Sequence, residues 1–320
     1  MLNTPKISTM LAFIAPGQGA QTPGMLAPWI NDPAAKLLLN QWSHEINLDL
    51  VRLGTTADAD EIKDTANAQP LIVAAGLLGA RALGSAKLAI VAGHSVGEIT
   101  AAAIAGVIDD TDAMKLVRAR GIEMAKAASL KPAGMSAVLG GDREVVLRAI
   151  ADLGLVAAND NGAGQIVAAG DLDALAQLAP EGARVRALAV AGAFHTSYME
   201  PAVAPLREIA AGIKVHQGRC GVISNKDGAV LTDGREILDR IVAQISNPVR
   251  WDLCMTTLAS HVSGALEVPP AGTLVGLLKR AVPIIETFAL KSVEDVTLAQ
   301  EFIARHQDEP NPDDKKPEDE

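Results

Sequence analysis

Short apolar runs alternate along this chain with longer stretches in which apolar positions recur every three to four residues. Leu11–Ala15 and residues 88–92 have strand length and are closed by Pro16-Gly17 and by Gly93, so they predict buried strands. Residues 68–83, 96–105 and 111–128 carry the helical period. Strands that alternate with helices predict a mainly parallel sheet covered on both faces, an α/β fold. The pattern changes after Pro132-Ala133-Gly134. Strands are predicted at 135–139, 155–158, 165–169 and 184–190, and helices at 142–153 and 172–178. That β-α-β-β-α-β order is the split unit of a ferredoxin-like fold. The chain thus reads as a large α/β subdomain, residues 1–131 and 192–306, with a small ferredoxin-like subdomain, residues 132–191, inserted into it. Residues 307–320 hold seven acids, two lysines and almost nothing apolar, which predicts a disordered acidic tail.

Composition narrows the range of functions. With 320 residues, 49% of them hydrophobic and 21% charged, the chain can bury a sizeable core without staples. Aromatics are only 2%, so that core is built from Ala, Val, Leu and Ile, and little is left to stack on bases. A net charge of −10 disfavours a nucleic-acid partner, which needs a basic surface to displace counterions. Cys220 and Cys254 are too few for a disulfide framework or a metal site and read as buried small residues. No apolar run reaches the ~20 residues of a membrane span. The first apolar run ends at Pro16-Gly17 and not at a small-residue cleavage site, so no signal peptide is read and a cytoplasmic location is expected.

The most informative segment is Ala89-Ile90-Val91-Ala92-Gly93-His94-Ser95-Val96-Gly97-Glu98. G-x-S-x-G between a predicted strand and a predicted helix is the context of a nucleophile elbow. The glycines let strand and helix approach, Ser95 projects from the sheet, and the Val96 N–H is available to an oxyanion. The alternative is that Ser95 merely caps the helix. A serine nucleophile needs a base. Of six histidines, His44, His216 and His261 read as surface residues, and His306, beside the tail, reads as solvated. His94 is expected to diverge from its neighbour Ser95. Position favours His195, directly after a predicted strand, because ligands gather at strand ends in open α/β sheets. On helix 111–128, Arg118 and Arg120 flank the apolar face at comparable angles, and periodicity does not separate them from solvated arginines.

Four segments then recur in one order: Pro16-Gly17-Gln18-Gly19-Ala20-Gln21, Gly93-His94-Ser95-Val96-Gly97-Glu98, Arg120-Gly121 and Gly192-Ala193-Phe194-His195. Beyond them lies Gln244-Ile245-Ser246-Asn247-Pro248-Val249-Arg250-Trp251. Together, over residues 11–279, they resemble the malonyl-CoA:acyl-carrier-protein transacylase family of bacterial type II fatty acid synthesis. The resemblance implies Ser95 as the acylated nucleophile and His195 as general base and then acid. The pair has no carboxylate third member; the imidazole is oriented by the main-chain carbonyl of Gln244. Gln18 resembles the second oxyanion-hole donor beside Val96, and Arg120 the group that grips the free carboxylate of the substrate. Phe194 fits the malonyl-using pattern, since a smaller serine stands there where methylmalonyl is accepted.

The implied reaction is ping-pong transfer from malonyl-CoA to phosphopantetheinylated acyl carrier protein, without cofactor or metal. The carrier is a transient partner, the coenzyme A thioester the donor, and the chain a monomer. Carriers in this family are acidic, so docking needs a local basic patch. Candidates are Lys115, Arg118, Lys126, Lys131, Arg184 and Arg186, each equally readable as a solvated charge. The family's glycine-rich stretch near the C-terminus reads here Glu267-Val268-Pro269-Pro270-Ala271-Gly272-Thr273, a departure expected to alter a loop. Three other readings stay open: a trans-acting malonyl acyltransferase of polyketide type, a serine esterase or thioesterase (although no HGGG-type segment is present), and a carrier-binding scaffold without chemistry.

Overall fold

The computed structural model describes residues 10–307; the predicted tail from residue 308 onward lies outside the described residues, as does the polar lead-in 1–9. The strands are β1 (Leu11–Ala15), β2 (Ile90–Gly93), β3 (Gly134–Gly140), β4 (Val156–Asp160), β5 (Gln165–Gly170), β6 (Ala183–Ala187), β7 (Gly221–Ile223), β8 (Val230–Leu231), β9 (Val249–Arg250), β10 (Gly264–Glu267) and β11 (Glu286–Ala289). They form two sheets, ordered β11-β10-β1-β2-β7-β8 and β6-β3-β5-β4-β9.

The six-stranded sheet is parallel from β11 to β7, and only β8 runs antiparallel. Its inner strands β10, β1, β2 and β7 are buried on both faces, and β1 and β2 accordingly read as continuous apolar runs. Leu11, Phe13 and Ala15 enter one core with Val91, while Ala12 and Ile14 enter the other with Ile90 and Ala92. This is the alternation of a pleated strand. The three tryptophans, Trp29, Trp42 and Trp251, are among the largest fully buried side chains, so the few aromatics present are spent on the core. The C-terminal ends of β1, β2 and β7 deliver Gly17-Gln18, His94-Ser95 and Ser224-Asn225 to one edge.

The predicted α/β class is therefore the observed one. In the second sheet β3, β4, β5 and β6 are antiparallel in the order β6-β3-β5-β4. Helices Arg143–Asp152 and Leu172–Gln177 pack Val146, Ile150 and Leu175 against Val138, Ile166 and Ala168. A fifth strand, β9, comes from much later in the chain and adds parallel to β4. The strand predicted at 184–190 stops at Ala187, after which the Leu188 N–H bonds Met135 O and the chain turns toward the site.

Two expectations need correction. His306 is not solvated but 8% exposed. Helix Val296–His306 buries Ala299, Phe302 and Ile303, and His306 continues that i, i+3, i+4, i+7 stripe. Its ring lies 4.6 Å from that of Phe302, with Ser263 Oγ 2.9 Å from Nδ1 and Glu286 Oε2 2.9 Å from Nε2. The charged tail beside it hid the stripe. Of the two cysteines Cys254 is buried, but Cys220 is only partly so.

Candidate active site

Ser95 lies between β2 and helix Gly97–Ile104 with φ +54°, a left-handed conformation that side chains rarely adopt. The turn is this sharp because both flanking glycines lack side chains. A Cβ on Gly93 would collide with the Gly97 carbonyl, and one on Gly97 with Ala15 O. The N-cap position of the helix is Val96, and no side chain caps it. Ser95 Oγ instead lies 2.8 Å from His195 Nε2.

His195 is 3% exposed and also has a positive φ, +62°. Its Nδ1 lies 2.9 Å from Gln244 O. A carbonyl only accepts, so Nδ1 carries the proton and Nε2 offers its lone pair to the serine hydroxyl. Gln244 ends helix Gly234–Gln244, where carbonyls lack helical partners, and its oxygen takes the imidazole beside the Asn247 N–H, which donates to it at 3.1 Å. The adjacent Ile245 O accepts the His195 N–H at 3.1 Å, which fixes the loop as well as the ring. Burial and the nearby Arg120 charge push the His195 pKa down to about 3, so the imidazole is neutral at pH 7.

Arg120 is 1% exposed, on the inward face of helix Asp110–Leu130. It donates to Gln69 Oε1 at 2.7 Å and Gln244 Oε1 at 2.9 Å, and one terminal nitrogen lies 3.3 Å from Ser95 Oγ. Its Nε has no acceptor among the described residues. Burial lowers its pKa to about 10, against the pull of Glu98, which leaves it charged at neutral pH. Arg118, its rival by periodicity, is spent on Ala66 O at 2.7 Å.

No protein acceptor among the described residues meets the backbone N–H of Val96 or of Gln18. The Gln18 side chain is tied back, donating to Thr65 Oγ1 at 3.3 Å and accepting from Gln69 Nε2 at 3.4 Å. Gln18, Ser95, Arg120 and His195 line one cavity of about 230 Å³. Its apolar wall comes from Met124, from Phe194 and from Met135, Val167, Leu188 and Val190 of the small-sheet region. His94 turns away from the serine, as expected, placing Nε2 2.8 Å from Asn161 Oδ1 and its ring edge-on to Trp251. Burial lowers its pKa.

Three residues of this site were not assigned from the sequence. Gln69 and Asn225 contact Arg120 and Ser95 across 51 and 130 residues of chain, and neither sits in a motif. The one available signal was the position of Asn225 just beyond an apolar strand. Glu98 stood inside the serine motif without a role. Burial pushes the pKa of its carboxyl up, against the Asn225 N–H, the Arg120 charge and the Gln244 amide; with a donor on each oxygen, the ionised form is the one the geometry fits. Among the described residues no group of His, Cys, Asp and Glu is arranged to hold a metal ion, and no helix is long and apolar enough to cross a membrane.

The chain as a whole is similar to known proteins. The family described as "Acyl transferase domain" matches residues 12–312. The chain is 52% identical over 296 residues to the malonyl CoA-acyl carrier protein transacylase of Mycobacterium tuberculosis, covering 90% of this chain and 98% of that protein. It is 33% identical to the protein of the same name from Escherichia coli K12, covering 92% and 100%. Among solved structures, the M. tuberculosis enzyme superposes with a TM-score of 0.88 at 51% identity, covering 91% and 99%. A malonyl-transacylase in complex with its type II PKS acyl-carrier protein superposes with a TM-score of 0.85 at 30% identity, again covering 91% and 99%.

Proposed function

The chain belongs to the acyl transferase domain family, and on that ground we propose that it transfers the malonyl group of malonyl-CoA to the phosphopantetheine thiol of acyl carrier protein. One observation carries the reading: the Ser95–His195 pair and the buried Arg120 guanidinium face the same cavity.

His195 Nε2 takes the Ser95 proton as Oγ attacks the thioester carbonyl. The N–H groups of Val96 and Gln18 receive the oxyanion; losing one such donor typically costs ~3 kcal/mol. Collapse of the intermediate expels coenzyme A, whose sulfur takes the proton from His195. The carrier thiol then attacks the malonyl-serine ester through the same steps in reverse. Arg120 receives the malonyl carboxylate, for which a planar guanidinium fork is suited. Phe194 stands beside the α-carbon and excludes a branched acyl group. These steps use only the side chains and main chain of the protein and call for no cofactor. We place the reaction in the cytoplasm, in keeping with two unpaired cysteines.

The test is intact-mass analysis after exposure to malonyl-CoA. Wild-type protein is expected to gain one malonyl group and to lose it to a carrier thiol, while Ser95→Ala gains none. An unmodified wild type, or an equal adduct on the variant, overturns the assignment. The polyketide reading keeps a specific support, the structural likeness to a transacylase bound to its type II PKS carrier. Comparing kcat/KM for carriers of the two kinds decides between them.

A further inference from the structure

Glu98 follows Ser95 by three residues and takes no part in the steps above. It is 3% exposed and does not line the cavity. Yet its two oxygens tie together two distant parts of the chain. Oε1 accepts the Asn225 main-chain N–H at 2.6 Å, and Oε2 accepts from Gln244 Nε2, also at 2.6 Å. Each of those partners is committed to the reacting groups. Asn225 Oδ1 accepts the Ser95 N–H at 2.8 Å, and its Nδ2 donates to Gly93 O at 2.7 Å, so the turn is clamped before and at the nucleophile.

Gln244 touches all three functional residues, through its amide and its main chain. Its Oε1 accepts from Arg120, while its Nε2 lies 3.1 Å from both Ser95 O and Asn225 Oδ1. Its main-chain oxygen orients His195. The amide has one orientation that satisfies these neighbours, since turning it over sets its oxygen against three acceptors and its NH2 against a guanidinium. Glu98 supplies the shortest of the bonds that hold it so. Arg120 and Glu98 each pull the other toward its charged form.

We propose that Glu98 is the positioning residue of this site, holding Gln244 and Asn225 so that Ser95, His195 and Arg120 keep one mutual geometry. The proposal rests on the acyl-transfer reading. Among the described residues the imidazole touches no carboxylate, and Glu98 provides the anchoring acid at one remove, through the glutamine that touches both His195 and Arg120. Arg120 keeps its separate bond to Gln69 Oε1 when Glu98 is lost, so the loss is expected in the chemical step and far less in substrate binding.

The test is single-turnover malonylation of Ser95 by malonyl-CoA, followed by rapid quench and intact mass, with Glu98→Gln beside wild type. Glutamine keeps the volume but sets an NH2 against one of the two donors. The rate constant at saturation is expected to fall by about 10- to 100-fold, since displacement of reacting groups by about 1 Å can cost 10²-fold. The half-saturating concentration should stay within about twofold. A merely structural role moves the amplitude, which counts competent molecules, and leaves the rate constant of those molecules alone. A wild-type rate constant, or a loss confined to half-saturation or to amplitude, overturns the proposal.

Should Glu98→Gln not fold, Gln244→Met takes its place. It removes the amide bridge and keeps the main-chain carbonyl on His195, and the same fall in rate constant is expected; a wild-type value overturns the proposal. Absence of any adduct on wild-type protein instead overturns the acyl-transfer reading beneath it.

Discussion

At the residue scale, the proposed reaction gives the buried guanidinium the choice of substrate. Arg120 sits 1% exposed with neutral amide oxygens on two of its nitrogens, so a substrate without a carboxylate leaves its charge unmatched. Sites of this kind can reject the unpaired analogue by about 10⁴-fold. In Arg120→Ala the ratio of kcat/KM for malonyl-CoA to that for acetyl-CoA is expected to collapse toward unity; an unchanged ratio refutes the role. The histidine makes a second claim. Its base form is the neutral one, and its pKa is pushed down to about 3. Acylation is therefore expected to hold steady as pH falls from 7 through the ordinary histidine value near 6.5, and to decline only well below it. A half-maximal point between pH 6 and 7 in the pH–rate profile contradicts this. Ser95 was legible because its motif has a local geometric cause, a glycine on each side of a strained turn. Arg120 was not separable from Arg118 by helical angle. What distinguishes them is the surface that covers each, and that comes from residues 65–69 on another helix. A main-chain acceptor such as Gln244 O has no side-chain signature at all, and only resemblance pointed to it.

At the element scale, strands and helices expected between residues 88 and 178 fell within a residue or two of where the periodicity set them, because each has a continuous buried face, whereas the strand expected at 184–190 ended at Ala187. The two-residue strand β9 escaped notice: so short a segment has no period, and its pairing with β4 spans 90 residues of chain. The prolyl stretch before helix Thr273–Ala281 also hid its purpose. Glu267, fully buried, accepts from the main-chain N–H groups of Gly272, Leu274 and Val275 at 2.9, 3.0 and 2.9 Å. It thereby closes the start of a helix whose N-cap residue is Gly272. Burial raises its pKa against those three donors. Thr273, Leu274 and Leu277 of that helix line the cavity. Glu267→Gln turns an NH2 toward these donors and is expected to cost about 2 kcal/mol or more in urea unfolding. KM for malonyl-CoA should rise as the cavity wall loosens. A variant as stable as wild type removes this account of the helix start.

At the scale of the whole molecule, net charge bears on the proposed encounter with a carrier. Residues 308–320 contribute −5 of the net −10. Two of the candidate docking lysines are committed elsewhere, Lys115 to Glu45 and Lys126 to Glu123, whereas Arg184 and Arg186 lie exposed on the edge strand β6. If an acidic carrier is the acceptor, deleting residues 308–320 removes repulsion at long range. Its kcat/KM is expected to rise at low ionic strength, and the gain should vanish in high salt, where screening is complete within a few Å. No gain at low salt separates the tail from docking. The two sheets are also spliced through the catalytic apparatus. Only four residues separate Gln244, whose carbonyl steadies the imidazole, from Val249, where the same segment is stitched onto β4. Prising the small sheet away to widen the entrance must tug that segment and slacken the base. The molecule cannot gape there and stay armed: water let in would meet a base out of line, and hydrolysis of the proposed acyl group on Ser95 would be slowed.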